Sequence, residues 1–333
     1  MADYKGIHSV TVIRTDRLGD MILTLPMCRG IKEVLSRCKL TLIARRYVEP
    51  LLYKCEYIDE VIYTDDYNKD LKKIYRICQP QVVFFPRPKF EEAYFAYKTN
   101  VPIRIGSAYR WYSFLFTHKI KDHRKVSLYN EAKYNLRMVE IFFQKPLELK
   151  YVKINVEPGA LMKVESLLET LNIRRKEFII LHPGSRGSSI TWQPYKFGEL
   201  AEILLRAGYD VVLTGISQEA NLNQIIQNYS SRIKNLTGRL NLYEIIALIS
   251  LSKGLVANST GILHIGSVLE IPAVGLFPNT PHLSAKRWGP IGPYSTTISP
   301  KSIQPDEMDN MELIQPNEVF TELLGVISMK ENA

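Results

Sequence analysis

Residues 178–215 read FIILHPGSRGSSITWQPYKFGELAEILLRAGYDVVLTG, and this stretch decides the fold. FIILH (Phe178–His182) and DVVLTG (Asp210–Gly215) are short apolar runs of strand length. Tyr195–Ala207 between them repeats its apolar residues at helical spacing. A strand, a helix and a second strand in that order form a βαβ unit, the building block of a parallel sheet.

The same alternation extends in both directions. Downstream follow a helix over Gln218–Tyr229, KNLTG (Lys234–Gly238), a helix over Leu242–Ser250, GLVAN (Gly254–Asn258), a helix over Gly261–Leu269, and PAVGLF (Pro272–Phe277). Upstream, SVTVIRT (Ser9–Thr15) reads as a buried strand and Gly19–Leu35 as a helix, with Pro26 in its first turn or kinking it. LTLIA (Leu40–Ala44), EVIYT (Glu60–Thr64), QVVFFP (Gln81–Pro86) and Val101–Ile105 follow as strands. A chain of 333 residues accommodates two such series. The expected organisation is α/β, with Rossmann-like, doubly wound domains at 1–155 and 177–333. The polar segment 156–176 is read as a linker, and the last helix is placed to pack back on the first domain.

Ligands bind doubly wound sheets beyond the carboxyl ends of the strands, and three segments stand there. RTDRLGDMILTLP (Arg14–Pro26) leaves a strand, turns at Gly19 and enters a helix at Asp20. That carboxylate suits either a general base or a helix cap. LHPGSRGSS (Leu181–Ser189) is a Gly- and Ser-rich loop offering N–H groups, hydroxyls and the Arg186 guanidinium to an anion. It has neither Walker nor G-x-G-x-x-G spacing. ANSTGILH (Ala257–His264) puts Asn258, Ser259 and Thr260 at a helix start, which fits phosphate or an empty cap equally.

Other chemistries find little support in the pattern. The six histidines make no H-E-x-x-H, no Asp-x-Asp pair bridges a metal to a diphosphate, and no G-x-S-x-G is present. Cys28, Cys38, Cys55 and Cys78 make no C-x-x-C pair and read as free thiols. With no apolar run of spanning length and no signal-type N-terminus, the protein is expected to be cytoplasmic. The net charge of +9 is uneven: 104–125 holds six Lys/Arg against Asp122 alone. No RNA-binding motif accompanies it, so nucleic acid is not expected.

Five blocks together resemble glycosyltransferase family 9, the lipopolysaccharide heptosyltransferases: RTDRLGDMILTLP, LHPGSRGSSITWQPYKFGELAEIL, NLTGRLNLYEIIALI, LVANSTGILHIGSVLEIPAVGLF and AKRWGPIG, in register along nearly the whole chain. The resemblance implies a GT-B fold, in which two Rossmann-like domains face each other across a cleft. It also implies inverting, metal-independent transfer from a nucleotide sugar, usually ADP-heptose, with no further cofactor. It makes Asp20 the base. It lays the donor against Ser185, Arg186, Ser188, Ser189, Gly215, Thr237, Asn258, Ser259, Thr260, Gly261 and His264. The acceptor it implies is an anionic glycolipid at the cytoplasmic face of the inner membrane. Arg14, Arg17, Arg110, Lys119 and Lys121 are the cations expected to meet it, with the aromatics of YRWYSFLFTHKIKDHRK (Tyr109–Lys125) beside them.

Two positions depart from the family pattern. Ile190 stands where a Lys or Arg is frequent, and Asn258-Ser259-Thr260-Gly261 replaces N-D-[S/T]-G. These leave open a same-fold enzyme using a hexose or N-acetylhexosamine nucleotide, or a non-catalytic binding relative.

Overall fold

The computed structural model describes residues 6–185, 187, 189–302, 304 and 307–333. The chain divides into two compact units, Met1–Val152 and Lys153–Ala333.

In the first unit, β1 (Ser9–Ile13), β2 (Lys39–Ala44), β3 (Glu60–Tyr63), β4 (Val82–Phe84), β5 (Ile103–Ser107) and β6 (His118–Ile120) form one parallel sheet in the order β3-β2-β1-β4-β5-β6. The helices are α1 (Leu18–Ile22), α2 (Leu25–Val34), α3 (Leu71–Cys78), α4 (Phe90–Lys98) and α5 (Glu131–Phe143). The strands are buried on both faces, which is why they read as continuous apolar runs. One face packs Ile13, Ile43, Ile62 and Val83 on Leu71, Ile74 and Tyr75 of α3 and on Ala93 and Ala96 of α4. On the other, Phe84 meets Phe142 of α5 edge to face, with ring centroids 5.9 Å apart.

The second unit repeats the plan. Its strands are β7 (Phe178–His182), β8 (Asp210–Leu213), β9 (Lys234–Asn235), β10 (Gly254–Asn258), β11 (Ala273–Leu276) and β12 (Ser295–Ile298), ordered β12-β11-β10-β7-β8-β9 and again parallel. Counted from its own first strand, this order is the same as that of the first sheet. Each sheet therefore reverses direction once, between β1 and β4 and between β7 and β10, and a crevice for ligand opens at such a point. The helices are α6 (Pro158–Thr170), α7 (Pro194–Arg206), α8 (Ala220–Gln227), α9 (Leu242–Leu251), α10 (Gly261–Val268), α11 (Ala285–Trp288) and α12 (Pro316–Glu331).

Two expectations are corrected, and two further features were not foreseen. The helix placed over Gly19–Leu35 is two helices, and Pro26 lies in the first turn of α2, where its missing N–H costs no hydrogen bond. Segment 156–176 carries α6, a 13-residue helix packed on α9, because Ala160, Val164 and Leu168 share one apolar face. The last helix buries Val319, Leu323, Val326 and Ile327 in the second unit's own core, against α7 and the sheet. Within the basic segment lies an unforeseen strand, β6, and Tyr112, Leu115 and Phe116 there are core residues.

Candidate functional site

In the first unit the chain leaves β1 at Arg14 and enters α1 at Leu18, so Asp20 is the third residue of a five-residue helix. The residue flanking that helix is Arg17, and no side chain caps it. Capping is therefore not what Asp20 does. Its carboxylate, only 9% exposed, accepts a hydrogen bond from Arg14. Arg14 is itself buried, at 2% exposure, and stands among three carboxylates: Asp20, Asp16 at 2.6 Å and Glu131 at 3.9 Å. Asp16 in turn pairs with Arg87 at 2.9 Å, and Glu131 with Arg124. Burial pushes the Asp20 carboxyl above its ordinary range, and Asp16 and Glu131 add to this against the opposing Arg14 and Arg87. Proximity to a helix start favours a weakly basic carboxylate, but here burial outweighs it.

In the second unit, neutral groups stand beyond the strands. Asn258, at the end of β10, accepts from the Trp192 amide at 2.9 Å and donates to the Pro183 carbonyl at 2.6 Å. Trp192 also donates its indole N–H to the Ile314 carbonyl at 3.1 Å. Both ends of the loop after β7 are thus tied down from β10. His182 Nδ1 meets Thr214 Oγ1 at 2.9 Å. The side-chain atoms Ser189 Oγ, Thr260 Oγ1 and His264 Nδ1 are buried and have no hydrogen-bond partner among the described residues. Burial holds both His182 and His264 down to about 4, so both are neutral at physiological pH. Polar atoms buried without partners cost stability, and these three lie on the loop after β7 and on or beside α10.

The sequence-based assignments divide accordingly. Thr260 is the residue flanking α10, Gly261 opens that helix, and His264 lies on it. Ser259 precedes them with its amide bonded to the Leu276 carbonyl. Ser185 and Ser189 lie on the loop after β7 and touch at 3.4 Å. Gly215 follows β8, and Thr237 follows β9 and accepts from Asn223. Arg186 and Ser188 lie outside the described residues. Two roles change. Asn258 spends its carboxamide on the loop rather than on a ligand. Arg14, enclosed by carboxylates, is no acceptor-facing cation. Arg17, Arg110, Lys119 and Lys121 are exposed.

Sequence reasoning missed Glu219. It lies just past β8, its carboxylate accepts from the Ile216 amide at 3.0 Å, and it covers Gly184 and Gly215 so closely that a methyl group on Gly184 would collide with it. The available signal was an acid following the second strand of a Rossmann-like unit, the place from which such folds address ribose hydroxyls.

Two Rossmann-like units in one chain, each with polar groups gathered beyond its strands, are the composition of a GT-B glycosyltransferase. Residues 85–314 match the model of glycosyltransferase family 9 (heptosyltransferase), and the chain belongs to that family. It is 28% identical to a Haemophilus influenzae protein whose name goes no further than glycosyltransferase, over 95% of this chain and 96% of that one. It is 24% identical to lipopolysaccharide heptosyltransferase 2 of Salmonella typhimurium, over 82% of this chain and 83% of the relative. Among solved structures, the E. coli ADP-heptose lps heptosyltransferase II superposes with a TM-score of 0.79 at 19% identity, over 97% of this chain and 99% of that one. The protein is a glycosyltransferase of the heptosyltransferase-like family.

Proposed function

We propose that this enzyme transfers a heptose from ADP-heptose to an anionic glycolipid acceptor, with inversion, using Asp20 as its base. The observation that carries the reading is a buried carboxylate of raised proton affinity just beyond β1. A base works best when its affinity lies nearer the working pH than an ordinary aspartate's does. Asp20 takes the proton of the acceptor hydroxyl as that oxygen bonds to the anomeric carbon. The bond from that carbon to the diphosphate breaks on the opposite face, and the nucleoside diphosphate leaves with the electron pair. The growing charge meets the Ser189 and Thr260 hydroxyls, the neutral His264 ring and the first N–H groups of α10. The Glu219 carboxylate suits the donor's ribose hydroxyls. No three His, Cys, Asp or Glu side chains gather as a metal set among the described residues, and the mechanism proposed uses none.

Replacing Asp20 with Asn should lower kcat by about 10²–10⁴ and leave donor affinity unchanged. Undiminished turnover would overturn the assignment. Donor identity is read by thermal shift against ADP, UDP, GDP and their sugars. A ligand at 100 times its dissociation constant stabilises by about 2.7 kcal/mol. Ile190 and Ser259 favour a second reading in which the sugar is not heptose, and a response to UDP or GDP sugars in place of ADP ones would establish it.

The acceptor reading places the enzyme at a membrane surface. No described helix is long and apolar enough to cross a membrane. Trp111 and Phe114 stand 74% and 67% exposed, and Trp111 stacks on the half-exposed Phe90 at 5.0 Å. Arg110, Lys119, Lys121 and Lys125 form no ion pair among the described residues, while Asp122 is taken up by Arg137. Exposed aromatics beside unpaired cations suit an anionic interface. Serine at both 111 and 114 should release the protein from anionic vesicles. Undiminished flotation would refute the contact.

A further inference from the structure

Following the hydrogen bonds outward from Asp20 leads back to Asp20. Its carboxylate accepts from Arg14, whose guanidinium faces Glu131 at 3.9 Å. Glu131 accepts from Arg124, and Arg124 donates to Asn135 Oδ1 at 2.9 Å. Asn135 donates through Nδ2 to the Leu23 carbonyl at 3.0 Å and to Thr24 Oγ1 at 3.3 Å. Thr24 Oγ1 closes the ring by donating to the Asp20 carbonyl at 2.7 Å. Glu131 and Asn135 come from α5 and Thr24 from the start of α2, so the circuit fixes Asp20 to both helices. Asn135 and Thr24 are fully buried, and Glu131 nearly so.

One link in this ring is incomplete. Arg14 Nη1 is buried and makes no hydrogen bond among the described residues, while a Glu131 carboxylate oxygen lies 3.9 Å from it. The other side of Arg14 is committed to Asp16 and Asp20. When Asp20 gains a proton it loses its charge, and Arg14 would be left with Asp16, which Arg87 already shares. A buried guanidinium short of carboxylates is costly. Glu131 stands ready to supply the missing one.

We propose that Glu131 is a positioning residue for the base: by sharing Arg14 with Asp20 it lets the carboxylate take up a proton without stranding the buried guanidinium. The proposal rests on Asp20 being the base. Charge counting supports it, because Asp16, Asp20 and Glu131 balance Arg14, Arg87 and Arg124 before transfer, and Glu131 can close on Nη1 after it. Glu131 does not touch substrate in this scheme. The remaining titratable neighbours are further out: Lys89 and Glu92 both engage the Thr15 hydroxyl, and the Tyr47 hydroxyl donates to the Asp16 carbonyl.

The test is a carboxyl-carbon NMR titration of Asp20 in the full-length protein, its resonance assigned by its loss in Asp20→Asn. Glu131→Gln removes a negative charge from around Arg14 and tightens Arg14 on Asp20, so the Asp20 titration should move to lower pH. Arg124→Met removes the cation that shares Glu131 with Arg14 and should move it to higher pH. The acid limb of kcat against pH should follow each displacement. A merely structural role would lower stability in both variants and leave the titration in place. An unmoved midpoint in both, or displacement in the same direction, overturns the proposal. If Glu131→Gln does not fold, Arg124→Met decides alone, because an unmoved or lowered midpoint rejects the scheme. Full turnover in Asp20→Asn would instead defeat the assignment of the base while leaving the titration result intact.

Discussion

The two sheets share one strand order and differ in what stands beyond their strands. Past β1 the groups are charged, buried and mutually compensated: Arg14 among Asp16, Asp20 and Glu131, with Arg87 and Arg124 outside them. Past β7 and β10 the described groups are neutral: His182 and Asn258 are already bonded, while Ser189 Oγ, Thr260 Oγ1 and His264 Nδ1 have no partner among the described residues. On the mechanism proposed, the difference follows from the work each end would do. A carboxylate that must gain a proton needs fixed charges to tune it and to receive the change. A surface that must meet an incoming diphosphate needs donors held dry and in place, since each then acts in a low dielectric without reorganising. Serine at 259, where the family pattern carries an acid, leaves Glu219, past β8, as the carboxylate described over the loop after β7.

The largest effect expected of this contrast is on stability in acid. The unfolded chain protonates its histidines near the usual value of about 6.5, while the folded protein keeps His182 and His264 neutral down to about 4. Between those values the unfolded state binds more protons, so stability is present above 6.5 and is lost as pH falls towards 4. The loss is roughly 3 kcal/mol per histidine once complete. Urea midpoints measured at pH 7 and pH 4.5 read it directly. Glutamine at both positions should flatten the slope. A slope unchanged in that variant would move the acid sensitivity to carboxylates and break the contrast between a charged and a neutral end.

The architecture was legible because a parallel sheet buries both faces of its strands. FIILH and GLVAN coincide with β7 and β10, and the motifs fall after strands because that is where the crevice opens. What escaped the sequence was partnership across long separations. Nothing near Arg14 announces Glu131, 117 residues later on α5, and RTDRLGD looks the same whether Arg14 faces solvent or a cage of acids. Asn258 looks like a phosphate ligand until its partners at Trp192 and Pro183 are seen. The strand β6 was hidden because HKI carries two exposed polar residues and one buried apolar one, too little for any period to register. Position after a strand offered Asp20 as a base or a cap, and the family resemblance favoured the base. Its raised proton affinity depends on burial, which the sequence around it does not show.

The finest division lies within the neutral end, between groups already bonded and groups still open. Asn258→Ala would leave the Trp192 amide and the Pro183 carbonyl buried and unpaired, costing about 1–3 kcal/mol for each group left so. It should also weaken nucleotide binding, since the loop carrying Ser185 and Ser189 would lose its anchor. Thr260→Val removes a hydroxyl that bonds nothing among the described residues, so its urea midpoint should match the parent or rise slightly. Yet on the proposed mechanism nucleotide affinity should fall in Thr260→Val as well, because there the open hydroxyl meets the leaving diphosphate. Stability and affinity would then fall together at Asn258 and separate at Thr260. If Thr260→Val instead lost stability and kept its nucleotide affinity, the hydroxyl would be serving the fold, and the neutral end would hold one fewer group for the diphosphate.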